Sequence, residues 1–215
     1  MFGNIDNTQT IVLLRHAKAI KNEQCRHGGK GSELTESAIN EIQKVCSQLV
    51  LFSSKFDKIL YSPRTQCKQT AKILSQQLNV NAVELQELEP IYLGIVDGLS
   101  DDEVANKYPE INNQLTRWRN GEIEINQLEI PQMADCHEFY DKGKAFIDNI
   151  INSKKSVIIL ATRSIMVLLM SALLGRSSQI GGNYREIKWG NAEYAIFTHS
   201  NIGKSFHVDV STLKI

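Results

Sequence analysis

The sequence predicts an α/β fold: a three-layer α/β/α sandwich around a mostly parallel central sheet. Two apolar runs, Ile11-Val12-Leu13-Leu14 and the stretch opening at Val157, show no polar alternation. That is the pattern of strands covered on both faces. Around them, apolar residues recur at helical spacing, so strands and helices alternate along the chain. No repeat, low-complexity tract or linker divides the sequence, and residues 1–215 read as one domain.

The elements follow in order. After the first strand comes a polar, Gly-rich loop over 22–33. Leu34-Thr35-Glu36 then opens a helix over 34–52, with Ile39, Ile42, Val45, Cys46 and Leu49 on one side. Residues 56–61 read as a second strand. Ser62-Pro63 reads as a helix start, serine as N-cap and proline in the first helical position. That helix carries Thr70, Ala71, Ile73, Leu74 and Leu78, and a short strand follows at 82–85. Residues 100–152 read as mainly helical, including 110–119 and 137–151, with a polar stretch at 121–132. A buried strand at 156–161 leads into a helix over 163–174, closed by Gly175. Segments 191–198 and 205–210 finish as an antiparallel edge pair.

Composition narrows the classes of function. Lys plus Arg equals Asp plus Glu at 24 each, which argues against a nucleic-acid-binding face or a polybasic membrane patch. The apolar stretch from Val157 to Leu174 contains Arg163, which fits a strand turning into a buried helix better than a membrane span. Cys25, Cys46, Cys67 and Cys136 are widely spaced with no C-x-x-C pair. With no basic-then-apolar leader at the N-terminus, the expectation is free thiols in the cytoplasm. Cys25 and His27 lack a matching second pair, so no metal is expected. The run Gly28-Gly29-Lys30-Gly31-Ser32 lacks the spacing and strand-to-helix setting of a phosphate-binding P-loop. It reads instead as a flexible substrate-facing loop, with Arg26 and Lys30 as its candidate contacts.

The chemistry sits where the first strand ends, at Arg15-His16. Open α/β sheets place ligands just beyond the carboxyl ends of their strands. An imidazole there can act as a nucleophile, and an adjacent guanidinium can hold the anion it attacks. A structural reading competes with this one, in which His16 is a satisfied core residue at a strand end.

Arg15-His16-Ala17 resembles the signature of the histidine phosphatase superfamily, the phosphoglycerate-mutase-like proteins. The resemblance extends along the chain. Leu34-Thr35-Glu36 is similar to the family's Leu-Thr-x-x-Gly helix start, without the glycine. Ser62-Pro63 with Gln69-Thr70-Ala71 resembles Ser-Pro-x-x-Arg-x-x-Gln-Thr-Ala. The turn Gly94 to Leu99 resembles Gly-x-x-Glu-Gly-Leu, with Asp97 as the acid. His137-Glu138-Phe139 falls near the Gly-Glu-Ser segment, and Asn191-Ala192 is similar to the pair before the late strand. The resemblance implies the phosphoglycerate-mutase-like sandwich, with His16 as the catalytic group that becomes phosphorylated. It also implies a phosphate pocket shared by Arg15 and positions 66 and 163, without a cofactor.

Three departures bear on activity. Arg163 stands at the second histidine position, Gln66 replaces the helix arginine, and Pro90 occupies the position of the acid. Arg163 keeps a positive charge but cannot shuttle a proton. It reads either as an anion contact in the pocket or as a structural ion pair, with Glu138 or another acid, and an alteration of Thr-His-Ser is a third origin. Arg64 lies two residues before Gln66, about 200° away round a helix, and is not expected to substitute. Glu89 and Glu87 are the candidate acids, with Glu89 expected to face away because a pre-proline residue is extended and neighbours alternate. His137, His199 and His207 read as surface or core histidines.

The expected function is a phosphate-ester-binding, histidine-phosphatase-like protein with weak or lost phosphatase activity. Its partner would be a phosphorylated small molecule or free phosphate. Two alternatives stand: an active phosphatase using His16 on a phosphorylated small molecule or phosphohistidine, and a non-catalytic interaction module.

Overall fold

A computed structural model describes residues 9–51, 56–174, 189–199 and 206–209. Its centre is a six-stranded sheet in the order β3-β2-β4-β1-β5-β6. In chain order the strands are β1 (Gln9–Arg15), β2 (Lys58–Tyr61), β3 (Ala82–Glu84), β4 (Val157–Ala161), β5 (Tyr194–His199) and β6 (Phe206–Asp209). The pairs β3–β2, β2–β4 and β4–β1 are parallel, whereas β5 runs antiparallel to β1 and β6 antiparallel to β5. The helices are α1 (Ile20–Glu23), α2 (Ala38–Leu49), α3 (Thr65–Leu78), α4 (Asp101–Lys107), α5 (Pro109–Arg119), α6 (Cys136–Ser153) and α7 (Arg163–Leu173).

The apolar runs are covered on both sides, as their sequence requires. Ile11 and Leu13 of β1 pack with Ile159 and Ala161 of β4 against α6 and α7. Val12 and Leu14 face the other way, with Ile158 and Leu160, against α2 and α3. One face of the sheet therefore carries α2 and α3 and the other carries α6 and α7. The chain leaving β1 turns toward the first face, and the chain leaving β4 starts α7 on the second. A crevice opens between two adjacent parallel strands whose following helices go to opposite sides.

Some boundaries differ from the sequence expectation. The first long helix starts at Ala38, with Ser37 before it; residues 34 and 35 are held by other groups instead, Leu34 N–H donating to Gln69 (2.8 Å) and Thr35 N–H to the Lys18 carbonyl (2.9 Å). Ser62 is not an N-cap. Its N–H donates to the Leu160 carbonyl (3.0 Å), which prolongs the sheet ladder, and α3 begins at Thr65 after Arg64 in extended conformation. Phe52, Gly175, Ser205 and Val210 lie outside the described residues, as do the side chains of His199 and His207. Among the described residues no helix is long and apolar enough to cross a membrane.

Candidate active site

Arg15 and Ala161 are register partners across β1 and β4, and His16 N–H donates to the Ala161 carbonyl (3.2 Å). The residues that follow, His16 on one strand and Thr162-Arg163 on the other, leave the sheet together. Arg163 is the first residue of α7, at the end of the helix whose backbone N–H groups and dipole favour an anion.

His16 is 2% exposed and fixed on every side. Its carbonyl accepts from Ala192 N–H (3.2 Å) and from the Asn191 amide (3.2 Å). Behind it, Ala17 N–H donates to the Thr70 hydroxyl (3.3 Å), which itself donates to the Gln66 carbonyl (2.7 Å). The Gln-Thr-Ala and Asn-Ala segments thus hold the backbone around one imidazole. His16 Nδ1 lies 2.7 Å from the Ala17 carbonyl. A carbonyl only accepts, so Nδ1 carries the proton and a neutral ring keeps its lone pair on Nε2. Burial, and then the charge of Arg15, hold its pKa down to about 3. The imidazole is neutral at neutral pH.

His16, Arg15, Gln66 and Arg163 line one cavity of about 210 Å³. The Arg15 guanidinium donates to the Trp189 carbonyl (2.6 Å), and Trp189 in turn donates from its indole to the Glu193 carbonyl (3.0 Å). Gln66 is 1% exposed and accepts Ser32 N–H at 3.2 Å. Glu138, the suggested partner for Arg163, pairs with Lys142 at 2.6 Å.

The cavity also takes in residues that the sequence pattern does not place there. Lys21, Arg64, His27 and Arg119 line it, together with the expected Arg26, and Pro90, Ile91, Leu93 and Trp118 give it an apolar side. No Asp or Glu is among the described residues that line it. Carboxylates stand behind this wall and neutralise part of it: Arg26 pairs with Glu103 (2.9 Å), Arg119 with Asp101 (3.0 Å), and His27 Nε2 lies 2.8 Å from Asp101. Lys21 donates to the Gly28 carbonyl, and burial and then Arg64 push its ammonium pKa down. The loop carrying this carbonyl is tied by Asp97, which accepts Gly29 N–H at 2.8 Å. The Gly94 to Leu99 turn thus positions the loop.

Three expectations need correction. Lys30 is exposed and does not line the cavity. Glu87 is exposed on a 3₁₀ turn (Gln86–Leu88) and is likewise outside it. Glu89 is extended as expected (φ −66°, ψ 128°) and is also outside the cavity lining, but because a 3₁₀ turn precedes it the strand alternation does not hold, and its carboxylate meets Arg64 at 2.7 Å.

A model of the histidine phosphatase superfamily (branch 1) matches residues 11–209. The chain belongs to this superfamily. Among curated proteins it is similar to an Arabidopsis thaliana protein described as "Probable 2-carboxy-D-arabinitol-1-phosphatase", at 24% identity over 81% of this chain. The chain spans only 35% of that relative's length. Among solved structures it resembles a mycobacterial glucosyl-3-phosphoglycerate phosphatase in complex with VO3 (TM-score 0.72, 18% identity, 94% of this chain and 98% of that one). It also resembles the alpha-ribazole phosphatase of Shigella flexneri (TM-score 0.74, 17% identity, 95% and 96% coverage). At these identities the structural likeness concerns the fold.

Proposed function

We propose that this chain is a phosphate-ester-binding histidine-phosphatase-like protein with weak turnover of ordinary alkyl esters. The observation that carries the reading is a neutral imidazole, with Nε2 as its free lone pair, in a cavity lined by Arg15, Lys21, Arg64 and Arg163 and by no described carboxylate. The whole chain has no net charge, so this cationic concentration is local and suits one anion. The phosphatases among its relatives support the phosphatase-like class.

Phosphoryl transfer needs little covalent chemistry from a protein beyond positioning and charge stabilisation. His16 Nε2 would form the N–P bond while the P–O bond to the leaving group breaks, with Arg15 and Arg163 on the phosphoryl oxygens. Water would later displace the phosphoryl group from nitrogen. An alkoxide leaving group must also gain a proton, and guanidinium cannot supply one near neutral pH. A good leaving group needs none. The intact nucleophile therefore favours a second reading, an active phosphatase for substrates with good leaving groups, phosphohistidine included. An open cavity beside His16 disfavours an interaction module with a self-filled pocket. We also take residues 1–215 as one such domain, and its four free cysteines support a reducing, cytoplasmic setting.

The test is a leaving-group series. An aryl phosphate should phosphorylate His16 in an acid-labile form and release phosphate slowly, an alkyl phosphate should be at least about a hundredfold slower, and His16→Gln should do neither. Brisk hydrolysis of the alkyl ester would overturn the reading.

A further inference from the structure

The family resemblance would place a helix guanidinium at position 66, where this chain has Gln66, and Arg64 stands two residues earlier. Position 64 could not reach the cavity from inside a helix, but Arg64 is not in one. It is the extended residue before α3 (φ −67°, ψ 140°), since Ser62 remains tied to the Leu160 carbonyl and delays the helix start. From that position its side chain is 13% exposed and lines the same cavity as His16. We infer that Arg64 is an anion ligand of this cavity, and that the Glu89 carboxylate occupies it in the anion's place when the cavity is empty.

The contacts around Arg64 support an exchange of partners. Its Nη2 lies 2.7 Å from Glu89 Oε1, and its Nη1 donates to the Gly29 carbonyl. The other Glu89 oxygen, Oε2, is buried without a hydrogen-bond partner among the described residues. The Glu89 side chain is 41% exposed, so water screens this pair and it holds Arg64 only weakly. A phosphoryl group has three oxygens to offer a planar guanidinium fork, and fork-to-oxyanion pairing is strong and directional. Gln66 brings only a neutral amide, whose oxygen is occupied by Ser32 N–H. Lys21, which feels the charge of both Arg64 and Arg15, places Arg64 within the electrostatic reach of the groups beside His16. An anion entering there would offset the repulsion that Lys21 feels from Arg64 and Arg15.

This inference rests on the anion-binding reading above, and its test separates the two. Inorganic phosphate is titrated calorimetrically at low ionic strength into the full chain and into Arg64→Met, Arg64→Lys, Glu89→Gln and Arg163→Met, with thermal melts confirming each fold. Arg64→Met should weaken phosphate binding by about tenfold or more. Arg64→Lys should recover part of the loss, and Glu89→Gln, which removes the competitor, should bind phosphate several-fold more tightly than wild type. Should Arg64→Met bind like wild type while Arg163→Met does not, Arg64 is a clamp for the Gly29 loop and the inference fails alone. Glu89→Gln binding no tighter than wild type also overturns it, and that arm stands even if Arg64→Met does not fold. A wild-type chain that binds no phosphate removes the anion-binding reading itself.

Discussion

Arg15 and Ala161 sit opposite each other across β1 and β4, and that single register pairing brings His16 beside the residues that start α7. The two parts of the cavity come from far apart in the chain and meet because parallel strands align their carboxyl ends. Arg163 is therefore at the site by construction of the sheet. Replacing it with methionine should weaken phosphate binding by about 10–100-fold, the cost of one charged hydrogen-bonding group, without a change in the circular dichroism spectrum. Arg163→His should act differently. It restores a group that can carry a proton near neutral pH, so hydrolysis of an alkyl phosphate should rise by about tenfold or more above wild type. Phosphate titration of the methionine variant and steady-state hydrolysis of one alkyl ester by the histidine variant check the two outcomes.

The imidazole of His16 provides a pH signature. Its folded pKa of about 3 lies below its ordinary value of 6.5. Between those values the unfolded chain binds a proton that the folded chain refuses, so stability falls as pH drops through this window. His16→Gln removes that contribution, and its urea midpoint should decline less between pH 7 and pH 4 than the wild-type midpoint does. Nitrogen NMR of the wild-type imidazole should show a protonated Nδ1 and a bare Nε2 throughout the same range. A cationic ring at pH 6 in the absence of ligand contradicts the assignment.

Lys21 should show opposing effects on stability and binding. Burial and then the neighbouring Arg64 lower its pKa, so the folded state carries this ammonium at a cost below that pKa. The cost is relieved as pH rises toward the unfolded value of 10.5. Lys21→Met should melt higher than wild type at pH 7 in phosphate-free buffer. It should gain less than wild type from added phosphate, because the same cation that strains the empty cavity attracts the anion. Paired melts with and without phosphate decide the matter.

Gly94 tests the scaffold of the loop. Its φ is +60°, and a Cβ there would overlap the Pro131 carbonyl oxygen and lie 2.6 Å from Met133 N. Both neighbours are backbone atoms and cannot swing away. Gly94→Ala should cost about 1–3 kcal/mol in denaturant unfolding. Through the Asp97–Gly29 contact it should also loosen phosphate binding.

The sheet and its helices were legible because burial on both faces leaves a simple mark: no polar residue interrupts Ile11–Leu14 or Val157–Ala161. Arg15-His16 stood out in the sequence because the pair ends an apolar strand, whereas Gln66 and Arg163 were marked only by the family resemblance; all four line one cavity. Arg64 was misplaced for a specific reason. Ser62-Pro63 has the local chemistry of a helix start, but a long-range ladder bond to Leu160 outweighed it and moved the helix by two residues. Glu89 was misdirected because the 3₁₀ turn at Gln86–Leu88 broke the alternation its orientation was read from. Lys21 and His27 carry no periodic signal: a short helix and a glycine-rich loop bring them to the cavity, and the Asp97 turn that fixes the loop is distant in sequence. Lys30, only a few residues along, is exposed for the same lack of local rule.

The most direct measurement is a crystal structure of the full chain grown or soaked with phosphate. The expected result is one anion in the cavity, with a phosphate oxygen hydrogen-bonded to each of Arg15 and Arg163 and the phosphorus facing His16 Nε2. An empty cavity at saturating phosphate, or an anion held elsewhere with Arg163 turned away from His16, would contradict a shared cationic cradle.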